Sequence, residues 1–198
     1  IEISPTDGKD LNFSFEIAAL RPDGAGNNTS WARNLGNNPT ASVFSAEDMR
    51  ALEGILRGMH LYAPAAPSGG PRAQILASGV SVPWAVEAQR LLRDEWGVAA
   101  DIWSVTSWNE LRRDGLETDR FNLLNPLAQR REAYVTTRLT GTAGPVIVVS
   151  DYMRAVQDQI REWVPQDFVS LGTDGWGMSD TRGALRRHFL VDAQSIVV

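Results

Sequence analysis

The sequence predicts an α/β fold, an open and mostly parallel β-sheet covered by helices on both faces in three layers. Short apolar runs alternate with segments of helical periodicity along residues 72–198. Residues 145–150 contain four consecutive apolar residues, Val146-Ile-Val-Val149, which is typical of a parallel strand buried on both faces. Because each crossover between parallel strands lays a helix on one face of the sheet, this alternation predicts the layered architecture.

The individual elements follow from the same spacing. The predicted strands are 74–78, 98–105, 145–150 and 168–171. The predicted helices are 83–96, 133–139 and 152–164, with one more after the glycines of 172–177. Residues 109–121 are predicted to be a loop with a helical turn.

Composition divides the chain into three parts. Residues 1–45 contain one alternating pattern, Leu11–Ile17, which is typical of a half-buried strand, and then a loop rich in Gly, Asn and Pro. Residues 46–71 are predicted to be a helix capped by Ser45, followed by an Ala- and Pro-rich linker. Residues 72–198 are predicted to form the layered domain itself.

Bulk properties restrict the class of protein and its partners. The chain has 198 residues, of which 43% are hydrophobic and 22% charged, as expected for a globular protein. A net charge of −5 disfavours nucleic acid or an anionic membrane as a partner, since little counterion release would drive such binding. The absence of cysteine excludes disulfides and thiolate metal sites, and it is compatible with the cytoplasm. Because the chain starts at Ile1 without an initiator methionine, we expect a piece of a larger polypeptide or a processed one.

A glycine-rich segment follows the last predicted strand. Three glycines lie within six residues, namely Gly172, Gly175 and Gly177. They separate an apolar run from a polar segment with helical spacing, a pattern that predicts a strand, a tight turn and a helix capped by Ser179 or Asp180. Such a turn can hold phosphate, but neither G-x-G-x-x-G nor G-x-x-x-x-G-K-[ST] is present, so a plain structural turn is favoured.

The two histidines are weak candidates for acid–base chemistry. His60 falls at the end of a helical pattern beside Tyr62 and has no adjacent carboxylate, which favours a packing or solvent-facing role. His188 is expected in the last turn of the final helix, four residues before Asp192. A cation is stabilised there by the helix dipole, so a structural role is favoured for His188 too.

Paired carboxylates are the other candidates. Asp174 and Asp180 flank the glycine turn, where their oxygens could bind Mg²⁺ or Ca²⁺, but the dense acidic spacing of a dedicated cation loop is missing. Turn and cap roles are therefore favoured, with Arg182 expected to pair with one of them. Asp94 and Glu95 are adjacent on a helix, and nothing in the sequence provides the apolar pocket that an acid–base pair needs.

Serine and tryptophan residues add no catalytic motif. Ser78-Gly79 is an isolated pair without the Gly-x-Ser-x-Gly pattern of a nucleophile elbow. Tryptophans can stack on bases or sugars, but without flanking positive charge they are more often core or interface residues. Trp103 and Trp108 are candidates for a subunit contact. The seven tryptophans are Trp31, Trp84, Trp96, Trp103, Trp108, Trp163 and Trp176.

Three long strings resemble a known family. They are SVTSWNELRRDG at 104–115, SDYMRAVQDQIREWVP at 150–165 and GTDGWGMSDTRGALRRHFLVDA at 172–193. Together they resemble the C-terminal domain of the homodimeric pyruvate dehydrogenase decarboxylase, the first, acetyl-transferring component of the pyruvate dehydrogenase complex. The resemblance extends from about residue 53 to residue 198, whereas residues 1–45 show no match to that family.

The resemblance implies a fold and a function. The implied fold is that of the transketolase C-terminal domain, in which one strand of the sheet is antiparallel. Enzymes of the family bind thiamin diphosphate and Mg²⁺ with their first two domains, decarboxylate pyruvate and pass the acetyl unit to lipoyl groups of the acyltransferase component. The Gly-Asp-Gly…Asn cofactor motif of those domains has no counterpart here, so no catalytic, cofactor-binding or metal residue is predicted in this chain.

Two hypotheses of different classes follow. In the first, this chain is the non-catalytic C-terminal domain of a cytoplasmic, homodimeric pyruvate dehydrogenase, inactive by itself and needed for the dimer and the active site. In the second, it is a stand-alone interaction or regulatory module, with residues 1–45 as a new attachment and the glycine turn as a small-anion site. A fragment of a transketolase-like enzyme is a further alternative.

Overall fold

The computed structural model describes residues 46–198, with side chains described from Arg50 onward. The predicted strand at 11–17 and the Ser45 cap lie outside the described residues. The strands are β1 (Met59–Ala63), β2 (Arg72–Ala77), β3 (Ala99–Val105), β4 (Val146–Val149) and β5 (Phe168–Leu171). The helices are α1 (Ala46–Leu56), α2 (Val82–Trp96), α3 (Trp108–Leu124), α4 (Tyr134–Leu139), α5 (Arg154–Asp158), α6 (Arg182–His188) and α7 (Ala193–Val197), with 3-10 turns at Gly79–Ser81 and Arg161–Trp163.

The five described strands form one sheet in the order β1-β3-β2-β4-β5. Strands β2 to β5 are parallel to one another, and β1 pairs with β3 in the antiparallel direction. The predicted fold class is therefore confirmed, including the single antiparallel strand that the family resemblance implies. Strand β2 lies at the centre, and five of its six residues are buried because helices cover both of its faces.

Two apolar clusters lie on the two faces of the sheet. Trp108, Leu111, Tyr134 and Trp163 pack on one face, through α3, α4 and the second 3-10 turn. The other face is covered mainly by α2 and α7, whose contributions are Ala85, Ala88, Leu92, Ala193 and Ile196. Burial of apolar side chains on both faces is the main stabilising contribution to such a layered domain. No helix in the described part of the chain is both long enough and apolar enough to cross a membrane.

The prediction of a loop at 109–121 is wrong, because this segment lies within the 17-residue helix α3. The helix begins after Ser107, whose side chain accepts a hydrogen bond from the backbone N–H of Glu110. Its buried face is narrow and consists of Trp108, Leu111 and Gly115. A glycine counts against a helix in sequence patterns, but here it lets the ring of Trp163 pack directly on the helix backbone.

The helix predicted over 152–164 is also wrong in its length, since the segment forms α5 and then the 3-10 turn at Arg161–Trp163. The backbone N–H of Ile160 bonds to the carbonyl of Gln157, three residues back, instead of continuing the α-helix. Ile160 and Trp163 are both buried, and their three-residue spacing places them on one side of a 3-10 turn.

Strand β1 was not predicted. The apolar residues Ile55 and Met59 are four apart, so the sequence pattern extends the first helix to Met59, but α1 ends at Leu56. Gly58 has a φ of +102° and turns the chain into β1. His60 therefore lies in a strand, paired with Ser104 of β3, and the linker starts only after Ala63.

A buried polar network fixes the amino-terminal end of the sheet. The carboxylate of Asp101 accepts hydrogen bonds from the backbone N–H of Ala65 at 2.8 Å, from Arg72 at 2.8 Å and from the amide of Gln74 at 3.1 Å. Gln74 is completely buried, and its amide oxygen accepts a hydrogen bond from the indole N–H of Trp103 at 2.8 Å. The network thus joins β2, β3 and the segment after β1, and it satisfies polar groups that would otherwise be costly to bury.

Ionisation of Asp101 makes the stability of this network depend on pH. Burial raises the pKa of Asp101, but the hydrogen bonds from Ala65, Arg72 and Gln74 outweigh burial and hold the pKa below its usual value of 3.8. A carboxyl group whose pKa is lowered in the folded state stabilises the fold above its unfolded pKa. That contribution is lost as the pH falls through the folded pKa.

Asp101→Asn is expected to lower the free energy of unfolding by about 2–3 kcal/mol at neutral pH, because an amide replaces a charged acceptor that serves three donors. The difference from the unchanged chain should shrink below about pH 4, where the aspartate itself takes up a proton. Urea unfolding across this pH range measures both effects. Asp94→Asn, at an exposed carboxylate paired with Arg90 and Arg93, is the control and should cost much less. Equal losses in the two variants would contradict the prediction.

Candidate functional site at the carboxyl edge of the sheet

The order of the strands creates one switch point in the sheet. The chain continues from β2 to β3 on one side of β2 and returns to place β4 on its other side. In open α/β sheets, ligands bind in the crevice outside the carboxyl ends of the strands at such a point. Ser78 directly follows β2 and Ser150 directly follows β4, so these two serines mark the candidate site.

A chain of hydrogen bonds joins the two serines. The indole N–H of Trp108 donates to the hydroxyl oxygen of Ser78 at 3.1 Å, and the hydroxyl of Ser78 donates to that of Ser150 at 2.9 Å. The oxygen of Ser150 also accepts from the backbone N–H of Tyr152 at 3.1 Å. Both serines are buried, and no histidine or carboxylate among the described residues bonds to either hydroxyl. The serines therefore hold the loops together and lack the neighbouring base that a nucleophile needs.

The glycine turn after β5 is fastened to the loop after β4. A side chain at Gly172 would place its Cβ 2.6 Å from the carbonyl oxygen of Tyr152, so only glycine permits this close approach. The carboxylate of Asp174 accepts a hydrogen bond from the backbone N–H of Arg154 at 2.8 Å and pairs with its guanidinium at 2.5 Å. The backbone hydrogen bond first, and the guanidinium second, lower the pKa of Asp174.

Arg182, expected to pair with Asp174 or Asp180, forms no ion pair within the described residues, and Arg154 takes its place. The sequence could not show this, because Arg154 and Asp174 are 20 residues apart and meet only when β4 and β5 pair.

The helix after the turn is capped by a different residue from those predicted. The hydroxyl of Thr181 accepts a hydrogen bond from the backbone N–H of Ala184 at 3.3 Å and so caps α6. Asp180 instead accepts from the backbone N–H of Thr181 at 2.6 Å, and Ser179 is not the cap. Among residues 50–198, no group of three or more acidic, histidine or cysteine side chains is arranged to hold a metal ion. Asp174 and Asp180 thus both accept backbone hydrogen bonds around the glycine turn, but neither caps α6.

Apolar side chains project from the two fastened loops into solvent. Tyr152 and Met153 are 55% and 56% exposed, and Trp176 and Met178 are 94% and 53% exposed. We call these four residues the carboxyl-edge surface. Single exposed apolar residues are common, but a group of large ones on two loops held together by an ion pair is typical of a contact surface. These four exposed side chains are therefore a candidate contact surface.

Comparison with known proteins places the chain in a family. Residues 58–192 match the model of the transketolase-like TK C-terminal domain. The chain belongs to this family. A solved structure of transketolase from Leishmania mexicana is similar to it with 19% identity and a TM-score of 0.48, covering 74% of this chain and 18% of that one.

Curated relatives of this transketolase-like domain are larger proteins. The chain is 45% identical to the pyruvate dehydrogenase E1 component of Mycolicibacterium smegmatis and 53% identical to that of Mycobacterium tuberculosis. Both alignments cover 96% of this chain and 21% of the relative, so the chain spans about a fifth of their length. With 96% covered, the alignments also include most of residues 1–45, for which the sequence analysis found no match.

The histidines of this transketolase-like domain lie outside the candidate site. His60 is partly buried in β1, burial lowers its pKa, and its Nδ1 has no hydrogen-bond partner among the described residues. His188 lies in the last turn of α6, as predicted, with its ring edge-on to Phe189 at 4.9 Å between centroids. Asp192 pairs with Arg187, not with His188, and caps α7 through the backbone N–H of Ser195. Both histidines therefore have structural positions.

The tryptophans divide between core and surface. Trp103 and Trp108, which we expected at a subunit contact, are 4% and 5% exposed and belong to the core. Trp163 is also buried, and the ring of Trp84 lies 4.6 Å from the guanidinium of Arg186. Trp96 and Trp176 are the exposed ones, whereas Trp31 lies outside the described residues. The carboxyl-edge surface could not be recognised from sequence because its two parts, Tyr152-Met153 and Trp176 with Met178, lie more than 20 residues apart. The sequence did contain one signal: large apolar residues follow both β4 and β5 in segments that are otherwise polar.

A cavity of about 280 Å³ lies elsewhere, between α3, α4 and the second 3-10 turn. Its lining combines charges of both signs, including Asp119, Arg130 and Glu162, with the edge of Trp163. Asp119 is already bonded to the indole N–H of Trp163 at 2.9 Å. Small-molecule sites are usually lined mainly by apolar groups, so this cavity is a poor candidate for one.

Proposed function

We propose that this chain is the C-terminal domain of a pyruvate dehydrogenase E1 component. In this proposal the parent enzyme uses thiamin diphosphate and Mg²⁺ to decarboxylate pyruvate and passes the acetyl unit to lipoyl groups of the acyltransferase component. The observation that carries the proposal is the 45% and 53% identity to two mycobacterial E1 components over 96% of the chain. Its expected setting is a homodimer in the cytoplasm.

The role of this domain in the parent is to brace an active site that other domains form. The hydrogen bonds made by the polar groups at the carboxyl edge support this role. The serines at the switch point bond to each other and to Trp108, and Asp174 is bound by Arg154. Neither serine is bonded to a histidine or carboxylate among the described residues that could activate it, so these groups are suited to holding loops in place. The isolated chain is accordingly expected to be inactive.

The carboxyl-edge surface is the proposed contact with the remaining domains of the same enzyme. Its members are Tyr152, Met153, Trp176 and Met178, and interface centres are enriched in aromatic residues and methionine. The loops that carry them are held by the pair of Arg154 and Asp174, so the surface is preorganised before contact.

A regulatory small-anion site at the glycine turn is disfavoured. The carboxylate of Asp174 already accepts the backbone N–H of Arg154 and carries the same charge as an anionic ligand. An anion would have to displace it or bind beside it, and like charges at such short range repel. We therefore favour the E1 domain over a stand-alone regulatory module built on this turn.

Two experiments test the proposal. Calorimetric titration of the chain with thiamin diphosphate and Mg²⁺ should show no saturable binding, with the complete M. tuberculosis E1 component as the positive control. Saturable, Mg²⁺-dependent binding to the chain would show that the cofactor site is here after all.

The second experiment is a chimera in which residues 58–192 of this chain replace the matching segment of that E1 component. The chimera should retain pyruvate decarboxylation, whereas a control chimera carrying the corresponding domain of a transketolase should lose it. An inactive chimera that still forms a stable dimer would contradict the assignment to E1 components.

A further inference from the structure

One side of α3 carries apolar side chains that the fold covers only in part. Arg112, Leu116, Arg120 and Leu123 follow one another at intervals of four, four and three residues, so they lie along one side of the helix. We call these four residues the α3 outer face. Leu116 is 44% exposed and Leu123 is 80% exposed. A different, adjacent side of the helix packs on the sheet through Trp108, Leu111 and Gly115, so packing on the sheet does not account for the exposed leucines.

Two more exposed leucines lie outside the α3 outer face, at the end of the helix and in the turn that follows it. Leu124 is 65% exposed, and Leu127, in the turn after the helix, is fully exposed. Apolar surface of this extent on one helix and its following turn is unfavourable in water unless another surface covers it. The four leucines therefore indicate a contact that the described residues do not supply.

The charges on the α3 outer face determine which kind of partner fits. Arg113, on the neighbouring side of the helix, pairs with Glu110 and lies 3.9 Å from Glu117. In contrast, Arg112 and Arg120 form no ion pair with any residue in the described part of the chain. The face thus presents leucines beside two arginines that have no ion-pair partner among the described residues.

A second copy of this chain is a poor partner for that face. A symmetric contact would bring Arg112 and Arg120 of one copy against the same arginines of the other, and like charges across an interface cost free energy. Carboxylates beside apolar side chains, by comparison, would neutralise the arginines while covering the leucines.

We propose that the α3 outer face binds an amphipathic helix of another protein, with acidic residues flanking its apolar stripe. Leucines of the two helices would interdigitate as in ordinary helix pairs, and the acidic residues would pair with Arg112 and Arg120. This inference goes beyond the proposed function, since it depends only on the surface of α3 and holds whether or not the chain belongs to an E1 component.

Two synthetic helical peptides test this proposal. Both carry leucines at the same helical spacing, one with glutamates and the other with lysines beside them. Fluorescence anisotropy should show that the complete chain binds the glutamate peptide, with an affinity that falls as salt is added, and that it does not bind the lysine peptide. Leu123→Asp should weaken binding by at least about tenfold, as expected for an interface residue at the centre of the contact. The double variant R112E/R120E should prefer the lysine peptide.

A control substitution at an exposed apolar residue outside α3 shows whether the effect is specific to this face. Trp96→Ser removes an exposed apolar side chain at the end of α2 and should leave the affinity unchanged. Thermal melts of all variants establish that the domain remains folded. Binding of neither peptide, equal binding of both, or binding insensitive to Leu123→Asp would each overturn the proposal. Self-association of the chain that Leu123→Asp abolishes would overturn it in favour of a second copy as the partner.

Discussion

Replacing Gly144 with alanine is expected to cost more than about 4 kcal/mol of unfolding free energy, a large fraction of the stability of a typical domain. A Cβ at this position would lie 1.7 Å from the carbonyl oxygen of Arg72 and 2.4 Å from its carbonyl carbon. Both are backbone atoms at the start of the central strand β2, so they cannot move aside as a flexible side chain could. Gly144 also has a φ of +86°, a conformation that disfavours alanine by itself.

The close approach at Gly144 is what brings β4 to β2. Immediately after it, the carbonyl of Pro145 accepts a hydrogen bond from the backbone N–H of Gln74 at 2.9 Å. The carbonyl of Ala143, immediately before it, accepts one from the buried amide of Gln74 at 3.3 Å. Alanine would push these two segments apart and leave buried polar groups unpaired, which adds to the steric cost.

Gly141→Ala is the matched control for Gly144. Gly141 has nearly the same backbone conformation, with a φ of +83°, but a Cβ there would meet nothing within 4 Å. Its substitution should cost only the conformational penalty of about 1–2 kcal/mol. Urea unfolding of the two variants separates the steric cost from the conformational one. Similar midpoints for both would show that the contact with Arg72 does not determine the stability.

Gly115→Ala is expected to destabilise the domain by about 2 kcal/mol, although alanine is the better helix former. A Cβ on Gly115 would lie 2.4 to 2.6 Å from three ring atoms of Trp163. The ring cannot shift freely, because its N–H bonds to Asp119 at 2.9 Å and the backbone carbonyl of Trp163 accepts the hydroxyl of Thr136 at 2.6 Å. The steric cost should therefore exceed the gain in helix propensity.

Gly183→Ala provides the comparison within a helix. Gly183 lies in α6, where a Cβ would meet nothing within 4 Å, so alanine there should stabilise the domain by up to about 1 kcal/mol. Combining Gly115→Ala with Trp163→Leu tests the cause, since the cost of the first change should largely disappear once the ring is gone. Thermal or urea unfolding measures these three variants and Trp163→Leu alone. A stabilising effect of Gly115→Ala alone would contradict the packing described for α3.

Much of the fold could be predicted from local spacing. Helix 83–96 and the strands at 98–105, 145–150 and 168–171 agree with the structure to within two residues at each end. These elements carry their own signals, namely helical periodicity or a continuous apolar run. The prediction failed where the signal was not local. Strand β1 is recognisable only from its pairing with β3. Helix α3 contains Gly115, whose role becomes apparent only from the packing of Trp163 against it.

The candidate site was less predictable than the fold. The sequence favoured turn and cap roles around the glycines, but it named Arg182 and Ser179 or Asp180 where the structure uses Arg154 and Thr181. Capping depends on backbone angles within a single turn, so neighbouring candidates cannot be separated by residue type alone. The choice of Arg154 depends on which loops the sheet brings together.

The sequence by itself determined the layered α/β architecture and the resemblance to a transketolase-like C-terminal domain, because both are encoded in patterns within continuous stretches of chain. Only the tertiary structure decided which side chains meet at the carboxyl edge, why Gly115 and Gly144 are glycines, and that α3 leaves leucines and arginines facing outward. Those features depend on distances between residues far apart in the chain. Such distances are set by strand pairing and by packing across the sheet.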